Sequence, residues 1–163
     1  MQEPVARSSS MSFVAWIGLI AVLTTGSSCA AMRAGAARQK YINGQTQQHV
    51  YKMPITQVWP NVRTLLFEQG YQSKTSDTGG SYSLETEPKM DEKVAVRYLV
   101  QGVKVDDSTC RVEFMRMSAG EKGTKSDRDL EMEWRLLQKV DAASAEQIKK
   151  QAEGEADKAK AAS

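Results

Sequence analysis

The chain has 163 residues, a formal net charge of +2, 26% charged residues and 7% aromatic residues. Acidic and basic side chains are interleaved along it, which argues against a partner held by bulk charge, such as a nucleic acid. Once an N-terminal leader is set aside, the length fits one folded domain with tails and is too short for two full hydrophobic cores.

An apolar segment near the amino terminus predicts that the protein is exported. Residues 13–23 have the length of a signal-peptide hydrophobic region, about 7 to 15 residues, and fall short of the roughly 20 needed to cross a bilayer. Three small residues at 26–28 then precede Cys29, whose thiol is a possible lipid attachment point. This arrangement resembles a bacterial lipoprotein signal, which implies a signal peptide over residues 1–28 and acylation, for example by palmitate, at Cys29.

The same segment is open to two other readings. Gly26 stands three positions before Cys29, where a typical lipobox carries leucine. One alternative is ordinary signal-peptidase cleavage after Ala30 or Ala31, and the other is an uncleaved membrane anchor over residues 13–31. We favour lipidation at Cys29.

The residues after the cysteine predict a flexible tether. Residues 29–48 are rich in Ala, Gly, Arg, Gln and Asn and contain few large apolar side chains. Such a segment buries too little surface to offset the entropy lost on ordering. The folded domain is therefore expected to span residues 49–140, beginning with a short strand over 49–53.

An amphipathic helix is predicted to follow Pro54, which suits the first turn of a helix because its missing N–H has no intrahelical acceptor there. Pro60 interrupts the pattern, so either the helix is kinked there or its regular part begins there. Gly70 is the predicted stop. The residues with helical spacing form one apolar stripe: Ile55, Val58, Trp59, Val62, Leu65 and Leu66.

After Gly70 the apolar period changes from 3.6 to 2, which indicates strands. Turn residues at 77–80, 87–91 and 106–109 separate four of them. Gly102 interrupts the alternation of the third strand and predicts a β-bulge. The predicted strands cover residues 71–76, 81–87, 94–105 and 110–114.

A second helix is predicted after a polar loop over residues 119–126, with Asp127 as its N-cap. Residues 141–163 are rich in Ala, Glu, Lys and Gln, with Ile148 as the one large apolar residue. They predict a helical tail that is a solvated extension, with a partner-binding helix as the alternative. The apolar stripe of the second helix comprises Leu130, Trp134 and Leu137, supported by Leu136 and Val140.

These elements predict an α+β fold: a two-layer sandwich in which a mainly antiparallel sheet of about five strands carries two helices on one face. Residues 58–71, with Trp59, several leucines and Gly70-Tyr71, are followed by Asp77 and Gly80. This stretch resembles the pattern of the helix-grip domains of BamC-type lipoproteins, which belong to the outer-membrane β-barrel assembly machine. The resemblance covers residues 50–140, roughly one of the two such domains in that family. It implies a lipid-anchored periplasmic accessory domain without catalysis.

The sequence offers little for catalysis or metal binding. His49 is the only histidine and is assigned a surface or strand-edge role, since no second histidine completes a metal set. Cys110 is read as a buried small hydrophobe. No Gly-x-Ser-x-Gly elbow occurs, and the glycines at 79–80 suit a hairpin turn better than a phosphate cradle. We therefore predict no catalytic residue, metal or cofactor.

The expected function is that of a membrane-anchored envelope lipoprotein, a non-catalytic binding or scaffolding module facing the periplasm with a protein partner in the envelope. An Asp directly after the lipidated cysteine would resemble the inner-membrane retention signal of enteric bacteria. Because Ala30 stands there instead, the outer membrane is favoured over the inner. One alternative is a carrier of a lipid or other apolar ligand in a helix-to-sheet groove lined by Trp59, Tyr98 and Met115. The other is an accessory subunit of an envelope machine that docks through residues 141–163.

Overall fold

A computed structural model describes residues 25–74, 82–91, 94–120 and 123–162, with side chains from residue 30 onward. The apolar segment 13–23 and the predicted turn at 77–80 lie outside these residues. The predicted α+β class with a mainly antiparallel sheet is confirmed. The helices are α1 (Thr25–Gln48), α2 (Ile55–Glu68), α3 (Leu130–Val140) and α4 (Ala142–Ala161), and the strands are β1 (Ser73–Lys74), β2 (Tyr82–Thr86), β3 (Lys89–Asp91), β4 (Val94–Lys104), β5 (Cys110–Gly120) and β6 (Gly123–Arg128).

The described strands form one antiparallel sheet in the order β1-β2-β4-β5-β6. β2 and β3 both pair with the same edge of β4: β3 with its first residues and β2 with its later ones. Pro88 separates β2 from β3, and a proline has no N–H to donate to a strand ladder. β2 and β3 are thus one broken strand. Six strands are described where about five were predicted, because β3 and β6 were not expected while the strand predicted over 49–53 is reduced to one bridge.

The middle of the sheet faces α2 and α3. Buried side chains of β4 and β5, among them Val96, Val100 and Phe114, belong to the same core cluster as the buried side chains of both helices. Residues that alternate with them, such as Leu99 and Met115, lie on the opposite face and are half-buried. The prediction of two helices on one face is correct for α2 and α3. The helices α1 and α4 pack against each other and against α3.

The predicted bulge at Gly102 is wrong. β4 and β5 pair residue for residue without interruption from Ala95 opposite Ala119 to Lys104 opposite Cys110. The glycine is required for packing instead. A Cβ at Gly102 would lie 2.8 Å from Cδ1 of Ile55 and 2.8 Å from Cβ of Tyr82.

We predict opposite effects of alanine at two glycines. Gly102→Ala should lower the free energy of unfolding by about 1–3 kcal/mol, the usual cost of overpacking a core. Gly154→Ala is the control, because among the described residues a Cβ there meets no heavy atom within 4 Å. This helical site should gain about 0.5–1 kcal/mol. Urea unfolding of both variants measures the difference, and an unchanged midpoint for Gly102→Ala would contradict the close approach.

Helix α2 follows its prediction closely, since all six residues of the apolar stripe are buried. The helix begins at Ile55 and continues through Pro60, so its regular part does not begin at the proline. It ends as expected at Gly70, whose φ is 78°. The N–H of Gly70 donates to the carbonyl of Phe67, and that of Tyr71 to the carbonyl of Leu66, which is a Schellman motif.

Two predicted strands are shorter than expected. The strand over 49–53 is reduced to a single antiparallel bridge between Tyr51 and Cys110. The strand over 71–76 is described only as β1, Ser73–Lys74. In contrast, the strand predicted over 110–114 extends to Gly120.

The polar segment 119–126, predicted as a loop, contains the β5–β6 hairpin. Asp127 therefore belongs to β6, and the N-cap of α3 is Asp129, whose carboxylate accepts from the N–H groups of Glu131 and Met132. This corrects the predicted stripe: Leu136 and Leu137 are buried as expected, while Leu130, Trp134 and Val140 are half-buried. Met132 and Glu133 take the other buried positions of α3.

The prediction of a flexible tether is wrong for most of residues 29–48, because they belong to α1. The local composition is poor in apolar groups, but α1 has a partner helix, α4, that supplies the missing contacts. Small residues 30, 34 and 37 are half-buried at helical spacing, and Ile42 is buried. The hydroxyl of Tyr41 donates to Oε1 of Gln151 over 2.9 Å.

The C-terminal tail is helical as predicted, but it is not a solvated extension. Ala145, Ile148 and Ala152 of α4 are buried, and they form a stripe at spacings of three and four residues. An antiparallel pairing with α1 brings Arg38 to 4.0 Å from Glu153. The two helices therefore form one unit, which we call the helical arm (residues 25–48 and 142–161).

We predict that the arm contributes to the stability of the whole domain. Ile148→Ala should lower the free energy of unfolding by about 2–5 kcal/mol, as expected for a buried isoleucine. Gln147→Ala, an exposed neighbour on the same helix, should stay within about 0.5 kcal/mol of the unaltered protein. Chemical denaturation measures both, and equal stabilities would support a solvated tail instead.

Candidate functional site

A cleft lies between α1 and the first turn of α3, next to β5 and β6, and has a volume of 690 Å³. Ligand pockets commonly have about 300–1,000 Å³. We call it the polar cleft. It is lined by Gln39, Asn43, Arg116, Arg128, Asp129, Leu130, Glu131 and Trp134.

An ion pair with a buried carboxylate adjoins the polar cleft, which its arginine, Arg128, lines. Nε and Nη2 of Arg128 donate to Oε1 and Oε2 of Glu133 over 2.8 and 2.9 Å. Glu133 is only 3% exposed. Nη2 of Arg128 also donates to the backbone carbonyl of Gln47 at the end of α1. One guanidinium thus connects β6 with α3 and α1.

The Glu133 carboxylate also completes the edge of β5. Oε1 of Glu133 accepts the backbone N–H of Phe114 over 3.1 Å. β6 stops pairing with β5 at Met115. Beyond it, the N–H of Asp129 donates to the carbonyl of Phe114, and the next strand contact along that edge is the bridge from Tyr51 to Cys110. The carboxylate therefore satisfies a backbone donor that the strand pairing leaves open.

Burial and ion pairing have opposed effects on Glu133. Burial raises the pKa of its carboxyl above the usual value, while the hydrogen bonds from Arg128 and from the N–H of Phe114 pull that pKa back down. The pKa of Arg128 is itself raised, chiefly by the hydrogen bond to Glu133. Two parallel hydrogen bonds hold the pair together, and leaving either charge unpaired in this buried site would cost free energy of folding.

Asp129 forms the wall of the polar cleft at the start of α3. Its Oδ2 accepts the hydroxyl of Tyr98 over 2.6 Å, and its Oδ1 caps the helix. The pKa of Tyr98 is raised, first by burial and then by the hydrogen bond to Asp129, so the phenol remains a neutral donor. Tyr71 packs edge-on against the Tyr98 ring with centroids 4.9 Å apart.

The rim of the polar cleft carries amides, a carboxylate and an aromatic ring. Nε2 of Gln39 donates to Oδ1 of Asn43 over 2.8 Å, which fixes both amides on α1. Glu131 accepts from Nη2 of Arg135 over 2.6 Å. The indole of Trp134 is half-buried and packs against the core on one side. The cleft thus offers hydrogen-bond donors, acceptors and one flat apolar surface.

The predicted groove residues do not meet in one groove. Trp59 and Tyr98 are both buried in the core, and their positions place them on the helix-facing side of the sheet. Met115 pairs with Leu99 on the opposite face and is half-buried. The sheet itself therefore separates Met115 from the other two side chains, which period-2 alternation already implies.

The two cysteines differ in what the structure describes. Cys29 lies in the first turns of α1, and its side chain is outside the described part. Cys110 is fully buried and free, as predicted, and burial raises the pKa of its thiol. A raised pKa disfavours the reactive thiolate.

His49 lies at the junction of the helical arm with the domain rather than at a strand edge. Its Nε2 is 4.0 Å from Oδ2 of Asp141, and its ring packs edge-on against Tyr51. Burial lowers the pKa of His49, and the nearby Asp141 opposes that shift. Within the described residues no three His, Cys, Asp or Glu side chains are grouped to hold a metal ion.

The polar cleft is not predictable from local sequence patterns, because its parts are distant in the chain. Gln39 and Asn43 lie in the segment predicted as a tether. Arg128 and Asp129 follow Asp127, the residue that was predicted as the N-cap in place of Asp129. The acidic residues after Asp129 are a usable local signal for a cap. No local signal pairs Arg128 with Gln47 on α1.

Comparisons of the chain with protein-family models, with curated proteins and with solved structures found no match. In the described residues, no helix has both the length and the apolar character that a membrane span requires.

We predict that Arg128→Met destabilises the fold in a pH-dependent way. Losing the guanidinium leaves the Glu133 carboxylate buried without its cation, which should cost about 3–5 kcal/mol at pH 7. The pKa of Glu133 should rise further, so protonation relieves the cost and the deficit should shrink as pH falls through that pKa. Urea unfolding of variant and parent at pH 7 and pH 5 measures the change.

The matched control for this experiment is Arg135→Met on the exposed side of α3. Arg135 pairs with Glu131, whose side chain is 73% exposed, so its loss should cost no more than about 1 kcal/mol at either pH. An equal and pH-independent loss for both variants would contradict the buried role of the Arg128–Glu133 pair.

Proposed function

We propose that the protein is a membrane-anchored envelope lipoprotein, acylated at Cys29, whose α+β domain is a non-catalytic binding module on the periplasmic side, with the outer membrane favoured. The observation that carries this proposal is the course of α1. The helix begins at Thr25, passes through the position of Cys29 and continues into the folded domain, and it packs against α4. A lipid on Cys29 would therefore be joined to the domain by helix rather than by loose chain.

The helical arm gives the anchor a defined geometry. A helix rises 1.5 Å per residue, so Gln39 and Asn43 lie roughly 15 and 21 Å along α1 from Cys29. Both residues line the polar cleft. The anchored protein would hold this cleft at a short, fixed distance from the membrane surface, which suits capture of a partner or ligand there.

The chemistry of the polar cleft favours binding over catalysis. The residues that line it include no histidine, cysteine or serine, and its two carboxylates are already engaged, Asp129 by the Tyr98 hydroxyl and Glu131 by Arg135. Its charged groups already hold partners within the chain, as do Arg128 with Glu133 and Asp129 with Tyr98. Such groups are fixed in position and well suited to recognition.

The two alternatives have less support in the geometry. A lipid carrier needs an apolar cavity, whereas Trp59 and Tyr98 are packed among other core side chains. Docking through the tail needs a free apolar face on α4, whereas Ala145, Ile148 and Ala152 are buried within the chain. The resemblance to BamC-type helix-grip domains fits the proposal through α2 and the antiparallel sheet, and it remains part of the proposal.

The two cysteines make a matched pair for testing the anchor. In a Gram-negative host, the unaltered protein and Cys110→Ala should both lose residues 1–28, gain diacylglyceryl and acyl mass and sediment with membranes. Cys29→Ala should gain no acyl mass and leave the membrane fraction. Intact-mass spectrometry of sedimented and soluble fractions measures all three proteins.

An unmodified Cys29 in the unaltered protein would refute the proposal. The measured mass would then show which alternative applies to the N-terminal segment. Loss of the first 30 or 31 residues would indicate ordinary cleavage and release. Retention of every residue together with sedimentation would indicate an uncleaved anchor.

A further inference from the structure

The polar cleft is electrically balanced, which limits the kind of ligand that it can hold. Arg128 is paired with Glu133, and Glu131 with Arg135. Arg116, the second arginine of the lining, lies 3.7 Å from Asp91. A phosphate or carboxylate ligand would have to compete with these internal carboxylates. A cation would have to compete with Arg135 for Glu131, and with the Tyr98 hydroxyl and the first N–H groups of α3 for Asp129. A neutral polar ligand needs no such exchange.

The lining nevertheless keeps spare hydrogen-bonding capacity of both kinds. A carboxylate offers about four lone-pair sites, a guanidinium five N–H groups and an amide both donors and acceptors. Asp129 holds its internal partners through both oxygens, and Gln39 and Asn43 use one amide group each for their mutual bond. A ligand rich in hydroxyls, each of which both donates and accepts, matches this mixture.

The aromatic component adds an apolar surface to the cleft. Trp134 is half-buried, and its packing against the core holds the indole in place. Leu130 lines the cleft one helical turn before it, at position i−4. A sugar ring has an apolar face of C–H groups and a rim of hydroxyls, so one face can pack on an indole while the rim bonds to amides and carboxylates.

We infer that the polar cleft is a binding site for a neutral oligosaccharide, with Trp134 as the stacking platform and Gln39 and Asn43 as the hydrogen-bonding wall. The inference rests on the proposed function, since it names the ligand class of the same binding module. The lining side chains are held by internal bonds before any ligand arrives, which reduces the entropy lost on binding. At 690 Å³ the cleft has room for more than a water cluster.

The test uses the full chain, recovered from the membrane or the soluble fraction and kept in a zwitterionic amine-oxide detergent, because alkyl maltosides and glucosides carry sugar headgroups. The probes are triacetylchitotriose, maltotriose and inorganic phosphate, followed by ligand-observed NMR and titration calorimetry. The two sugars distinguish an N-acetylated amino-sugar polymer from an unsubstituted glucan as the natural source. We expect one of the two sugars to bind and phosphate to show no binding.

Matched amide pairs identify the site. Gln39→Ala with Asn43→Ala should raise the Kd for the sugar by about tenfold or more, the usual effect of losing two or more hydrogen bonds. Gln57→Ala with Asn61→Ala removes an amide pair of the same spacing from α2, remote from the lining, and should leave the Kd unchanged. Trp134→Phe keeps a packed ring and should weaken binding less than Trp134→Leu.

Three results would overturn the inference: phosphate binding without sugar binding, a sugar affinity that the Gln39/Asn43 variant leaves unchanged, or no binding of either sugar up to millimolar concentration. None of them depends on acylation, which is read from mass alone. A lipidated protein that binds no sugar would refute the ligand class only, and a sugar-binding protein without acyl mass would refute the anchor only.

Discussion

The Arg128–Glu133 ion pair is the interaction on which most of the architecture depends. It lies where the first helix ends, where β6 gives way to α3 and where the edge of β5 loses its strand partner. Charges at such depth are expensive, and they are retained only with good geometry and satisfied neighbours. Here the guanidinium makes two bonds to the carboxylate and one to Gln47, and the carboxylate accepts the N–H of Phe114. Through Arg128 the pair lines the polar cleft and joins the end of α1 to the domain.

The helical arm would restrict how a lipid anchor at Cys29 holds the domain above a membrane. A loose tether would behave as a flexible chain and would allow the domain to sample many heights and orientations above a membrane. A helix paired along its length with α4 restricts both. The arm also contributes one wall of the polar cleft, through Gln39 and Asn43. If Cys29 is acylated as proposed, the anchor, the spacer and the candidate binding site would therefore belong to one folded unit rather than to three independent segments.

The sequence was a good guide where a single element determines its own burial. The stripe of α2 and its stop at Gly70 follow from apolar spacing and from the left-handed conformation that glycine allows. It failed where distant segments supply the missing contacts. α1 has a low apolar content and is ordered by α4, more than a hundred residues later, and β6 is a polar strand ordered by its hairpin with β5. The polar cleft combines these same two missed elements, so local pattern could not reveal it.

Hydrogen exchange of the protein in its membrane-bound form tests the central claim most directly. Amides in residues 30–41, followed by mass spectrometry on peptides from the full chain, report whether the segment next to Cys29 is a packed helix. The account predicts slow exchange there, within about tenfold of α3, because opening α1 requires it to separate from α4. Exchange at the rate of an unstructured peptide across this segment, with α3 still protected, would contradict the account and restore a flexible tether.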